Sequence, residues 1–174
     1  MTRPIEIDIW QGAIADLEVD AIIVPANESL FMTGPIGAAV KRRSGDAVER
    51  AAVAQGPVTA GSVVVTDGGE LATPWLIHAV AVGHELRHDL GHLDAALDAS
   101  LGAAGALGAG RVAIAALGVE RGVFSPDEAA DALLRALRDR DAAPASIRAL
   151  VVAVTSPAEA GAFGAALEGV RAPA

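Results

Sequence analysis

Three parts of this sequence bring together residues that could do chemistry. The first is His84-Glu85-Leu86-Arg87-His88-Asp89-Leu90-Gly91-His92-Leu93-Asp94. On a helix, His84 and His88 would share a face one turn apart, as two zinc ligands do. Glu85 would then stand as general base, with His92 or Asp94 as third ligand. The second is Asn27, which follows the apolar run 19–24 and Pro25-Ala26. Its amide can donate to and accept from a sugar hydroxyl, or it can cap its own turn. The third is backbone chemistry. Thr33-Gly34-Pro35-Ile36-Gly37 runs into a helix start, where free N–H groups and the positive dipole end suit a phosphate. Gly118-Val119-Glu120-Arg121-Gly122-Val123-Phe124 is a second loop of this kind, and two of them at one sheet edge would clasp a diphosphate.

The elements that must position these groups follow from apolar patterning. Ile5, Ile7 and Ile9 alternate with Glu6 and Asp8, so residues 4–10 read as a strand with one buried face. Residues 19–24 form a near-continuous apolar run, as in a strand covered on both faces. Further strands are expected at 62–66, 75–82, 111–117 and 149–154. Helices are expected at 36–43, from Asp46 to about 55 with Asp46 and Glu49 as its cap, and over 86–107 on a stripe of Leu86, Leu90, Leu93, Leu97 and Leu101. Ser125-Pro126-Asp127-Glu128 and Ser156-Pro157-Ala158-Glu159 each place a capping serine, a proline and a returning glutamate at a helix start. The Ala/Gly-rich stretch 102–110 ends one helix and enters the next strand. The fold class is therefore α/β, with helices on both faces of a largely parallel or mixed sheet of about six strands. In such sheets, ligands sit beyond the carboxyl ends of the strands.

Composition narrows the function. The chain has 174 residues, the size of one domain, and carries a formal charge of −9. That charge argues against gripping nucleic acid through phosphate neutralisation, so an anionic ligand must be held locally by backbone N–H groups or single arginines. There is no cysteine, which removes thiolate catalysis and agrees with a reducing, cytoplasmic compartment. No apolar run is long enough to span a bilayer, and the N-terminus lacks the pattern of a signal peptide.

By pattern, residues 84–94 resemble a zinc metallopeptidase of the metzincin kind. The surrounding leucines oppose that, because a stripe through Leu86, Leu90, Leu93, Leu97 and Leu101 turns His84, His88 and His92 toward solvent. The zinc metallopeptidase is kept as the least favoured alternative, and no metal is expected. His78, inside an apolar strand, is expected to be a hydrogen-bonded structural histidine.

The order of parts resembles the macrodomain family across roughly residues 5–155. It is carried by "DAIIVPANESL", "TGPIGAAVKRRSG", "WLIHAVAVG" and "VAIAALGVERGVF". The resemblance implies a three-layer α/β/α sandwich with a cleft for ADP-ribose or a related nucleotide diphosphate. Asn27 then lies near the distal ribose and is the tentative catalytic residue. Loop 33–37, with Thr33, Gly34, Ile36 and Gly37, is the first phosphate loop, and loop 118–124 is the second. The base end falls at Ala13 and Ile14. An ADP-ribosylated protein is the partner such a cleft implies, and hydrolysis of an ADP-ribosyl ester is the alternative activity. Neither asks for a metal or other cofactor. A third alternative is a diverged scaffold that takes another ligand or a protein partner.

This chain departs from the family pattern at several positions. Ala13 stands where an acid accepts from the adenine amino group, and Pro35 cannot donate a hydrogen bond. Gly37 replaces an aspartate found in some hydrolytic members, and Ala153 replaces an aromatic residue. Glu120 brings negative charge to the diphosphate, which Arg121 is expected to offset, and Phe124 is expected to supply a replacement wall.

Overall fold

The computed structural model describes residues 5–139 and 144–171. Six strands form one sheet: β1 (Glu6–Gln11), β2 (Ala21–Pro25), β3 (Val63–Asp67), β4 (Trp75–Ala79), β5 (Arg111–Ala115) and β6 (Ala149–Val154). Their order is β1-β6-β5-β2-β4-β3. All neighbours are parallel except β3, which pairs antiparallel with β4 at one edge. Among the described residues, five α-helices complete the fold: α1 (Pro35–Ser44), α2 (Asp46–Val53), α3 (Leu90–Ala106), α4 (Pro126–Arg138) and α5 (Pro157–Arg171). This is the expected three-layer α/β/α arrangement.

Strand alternation divides the apolar residues between two cores. Ile23, Val112, Ile114, Leu150 and Val152 face α3, α4 and α5, where Leu93, Leu97, Leu101, Leu133 and Phe163 meet them. Ile22, Val24, Ala113, Ala115, Val151 and Ala153 face the other way, toward Val40 of α1 and Val48 of α2. On that second face the ends of β5 and β6 carry alanine, which leaves room between the sheet and α1.

The central pair β2 and β5 marks where the chain changes direction. From β2 the chain passes through α1 and α2 on one face and reaches β3 and β4 on one side. From β5 it passes through α4 on the other face and reaches β6 on the opposite side. The loops leaving β2 and β5 therefore diverge at their carboxyl ends, and a crevice opens between them.

Two helix starts differ from expectation. The long third helix begins at Leu90, not 86: Asp89 caps it by accepting from the N–H groups of Gly91 and His92. Ahead of the cap, Leu86 sits in a left-handed turn at φ 52°, with its N–H bonded to Gly83 O. Leu86 and Leu90 are consequently exposed, at 46% and 38%, and the buried stripe runs only from Leu93. Helix α2 has Gly45 at its N-cap with no side-chain acceptor, and Asp46 is its first residue. Glu49 is not a cap but turns its carboxylate to Met32 and Lys41. The Ser125 capping box forms in full, with both reciprocal bonds present.

Candidate functional site

The loop after β2 is held by its own polar side chains. Asn27 Nδ2 donates to Phe31 O at 2.9 Å, and Asn27 Oδ1 accepts from Ser29 Oγ at 2.8 Å. Asn27 thus closes its own turn at the strand end. Leu30 adopts φ 65°, a conformation that costs a side-chain-bearing residue about 1–2 kcal/mol. Burial offsets this, because Leu30 is 1% exposed and packs with Ala52, Val64 and Val80.

The loop leads to α1, whose N-cap is Gly34, without a side-chain acceptor, and whose first residue is Pro35. The acceptor comes from the far side of the crevice. Glu120 Oε2 takes the Ile36 N–H at 2.9 Å. The other carboxylate oxygen lies against Gly34, 2.6 Å from where a Cβ would stand, so glycine leaves the space that the carboxylate fills. Burial pushes the Glu120 carboxyl above its ordinary range; the Ile36 N–H and Arg121 oppose that rise and Glu159 adds to it.

Between the two loops lies a hollow lined by Pro25, Ala26, Asn27, Thr33, Gly34, His78, Glu120 and Arg121, among others. A second hollow is lined by Gly12, Ala13, Ile14, Ile36, Ala115, Ala153 and Thr155. The small residues Ala13, Ala115 and Ala153 create it. At its edge, Glu159 is 5% exposed and accepts the Thr155 N–H at 2.6 Å and the Thr155 hydroxyl at 3.1 Å.

The rest of loop 118–124 shapes the site from behind. Gly118 and Gly122 have φ 76° and 69°, and Val119 and Val123 lean on the main core. Phe124 is 2% exposed and packs on Gly118 and the His88 ring, so it is a core residue and not a wall of the cleft. Gly37 is buried, and a Cβ there would meet the Met32 backbone at 3.5 Å, an ordinary contact.

The histidine segment does not converge. His84 lies in the turn before α3, and its N–H donates to Glu28 Oε2 at 3.0 Å. His88 Nε2 lies 2.7 Å from Glu128 Oε1, His92 belongs to α3, and Asp94 accepts from Arg135. Because the helix starts only at Leu90, His84 and His88 share no helical face. No group of three His, Asp or Glu side chains placed to hold a metal occurs among the described residues. His78 is the structural histidine expected: it is 1% exposed, and its Nε2 lies 2.9 Å from Thr66 Oγ1.

Comparison with known proteins places this geometry. A Trypanosoma brucei macrodomain solved in complex with ADP-ribose superposes with a TM-score of 0.85 at 18% identity, covering 93% of this chain and 69% of that one. An Oceanobacillus iheyensis macrodomain with ADP gives 0.82 at 17% identity, covering 94% and 90%. At such identity the likeness is one of fold. An uncharacterized protein of Mycobacterium tuberculosis is 32% identical over 166 residues, which is 94% of this chain, and the chain spans 45% of that relative's length. The sequence profile of the Macro domain matches residues 23–133, well over half of the chain and the whole of both crevice loops. With fold, loop order and sequence pattern in agreement, the chain belongs to the Macro domain family.

Proposed function

We propose that the crevice beyond β2 and β5 binds ADP-ribose or a related nucleotide diphosphate. One observation carries the reading: the Ile36 N–H, at the start of α1, already holds a carboxylate oxygen between the two loops. A backbone N–H at a helix N-terminus that donates to one anion there is a seat for another. The ADP-ribose and ADP bound to the structural neighbours are ligands of this class.

In this reading, loops 33–37 and 118–124 hold the diphosphate and Arg121, which lines the same hollow, adds a positive charge beside it. Asn27 meets the distal ribose, and the base enters the hollow at Ala13 and Ile14. An apolar base hollow suits stacking more than hydrogen-bonded selection of adenine. An ADP-ribosylated protein would present the same group. Binding is favoured over hydrolysis because Gly37 carries no acid. A cysteine-free chain whose described residues include no helix long and apolar enough to cross a membrane suits a cytoplasmic setting.

Isothermal calorimetry with ADP-ribose tests the reading, with AMP as the control that lacks a diphosphate. Saturable binding on the order of micromolar, weaker for AMP and for Asn27→Ala, is expected. No heat with ADP-ribose at about 1 mM would rule it out and leave a scaffold for another ligand or a protein partner.

A further inference from the structure

Position 120 does more than tolerate a charge beside the proposed ligand. The Glu120 carboxylate reaches across the crevice, bonds the Ile36 N–H at 2.9 Å and lies over Gly34, which gives α1 no cap of its own. There it lines the hollow between the two loops, beside Asn27, Thr33 and Arg121. Gly118 and Gly122 stand on either side in left-handed conformations, and Gly122 has open space around it.

We propose that Glu120 is the resident anion of the crevice, an internal competitor that a ligand must displace from the Ile36 N–H before its phosphates can bind. The inference rests on the diphosphate reading of the site. The charged groups acting on Glu120 are Arg121, on its own loop, and Glu159, at the start of α5; α1 faces it with a backbone N–H. Burial of the charged carboxylate works against the contact, so a stronger anion with several oxygens can replace it. One consequence is selectivity. A diphosphate reaches both loops and compensates for the displaced bond, whereas a single carboxylate or monophosphate gains little. Glu120 is thus a specificity-determining residue.

The test is calorimetry of the wild type, Glu120→Ala and Glu120→Gln with ADP-ribose and, separately, with inorganic pyrophosphate, together with the amide spectrum of Ile36. Glu120→Ala should bind both probes at least about ten-fold more tightly than wild type, and Glu120→Gln should fall between. In the free wild type the Ile36 amide resonance should shift on either substitution, and it should shift again when the wild type is saturated. Equal or weaker binding by Glu120→Ala to both probes, or an Ile36 amide indifferent to the substitutions, overturns the inference. If pyrophosphate shows the gain while ADP-ribose binds none of the three proteins, the resident anion stands and the ADP-ribose reading falls.

Discussion

Glu49 accepts the Met32 N–H at 2.8 Å, so a carboxylate on α2 pins the loop that carries Asn27, Phe31 and Thr33. The same carboxylate takes Lys41 Nζ at 2.7 Å, which joins α1, α2 and the loop in one polar knot.

Glu49→Ala should therefore lower stability by about 1–3 kcal/mol, since it leaves a backbone donor without its acceptor. It should also speed amide exchange at Met32 and weaken binding in the crevice. Burial alone would raise the Glu49 carboxyl, but the bonds from Lys41 and Met32 outweigh it and hold the group below its usual 4.5. A depressed carboxylate stabilises the fold above its unfolded pKa and loses that contribution as pH falls through the folded value. Urea midpoints of wild type and Glu49→Gln should therefore converge only below about pH 4.5. Convergence already at neutral pH would deny the carboxylate this role.

The Thr66–His78 pair sets a second pH dependence. Burial holds the His78 imidazole down to about 4, against 6.5 for an open histidine. Between those values the unfolded chain takes a proton and the folded chain does not. Stability should fall as pH drops from 6.5 toward 4, by about 1.4 kcal/mol per pH unit from this group. His78→Gln keeps a hydrogen-bonding partner for Thr66 and should flatten that part of a urea-midpoint profile. An unchanged slope in the variant would place the dependence elsewhere.

Gly118 and Phe124 should be strongly coupled. A Cβ at position 118 would strike the Phe124 ring, and φ 76° disfavours a side chain there in any case. Gly118→Ala should cost about 2 kcal/mol or more. Combined with Phe124→Leu, the loss should be smaller than the sum of the two, as a double-mutant cycle in urea would show. Additive losses would mean that strain in the backbone, and not the ring, limits this position.

Most of the fold was legible because its signals are local. Five apolar runs and one alternating segment are six strands, and Ser125 with Glu128 announced a helix start that forms with both bonds of its capping box. The third helix was misjudged at its start because the leucine spacing continues back through Leu86 and Leu90. The Asp89 cap and the left-handed turn at Leu86 override it. At the crevice, sequence reading put the loops after β2 and β5 at one sheet edge but did not show how they meet. Glu49 reaches 17 positions back to Met32, and Glu120 reaches 84 positions back to Ile36. No periodicity encodes such contacts; only the sheet order does. Phe124 was misplaced for a related reason, since a buried and an exposed aromatic in a glycine loop look alike until the helices that cover it are known.

The pairing of β1 has a kinetic meaning. Among the described strands its sheet neighbour is β6, with Glu6 opposite Ala149 and Gln11 opposite Val154. Closing so long a loop carries a high entropic cost before any contact offsets it, so this edge should zip up late, after β2, β4 and β5 have formed the centre. A chain that has not yet docked β1 would bare the edge of β6 while its crevice loops were already in place, making that edge the stage of folding most open to intermolecular strand pairing.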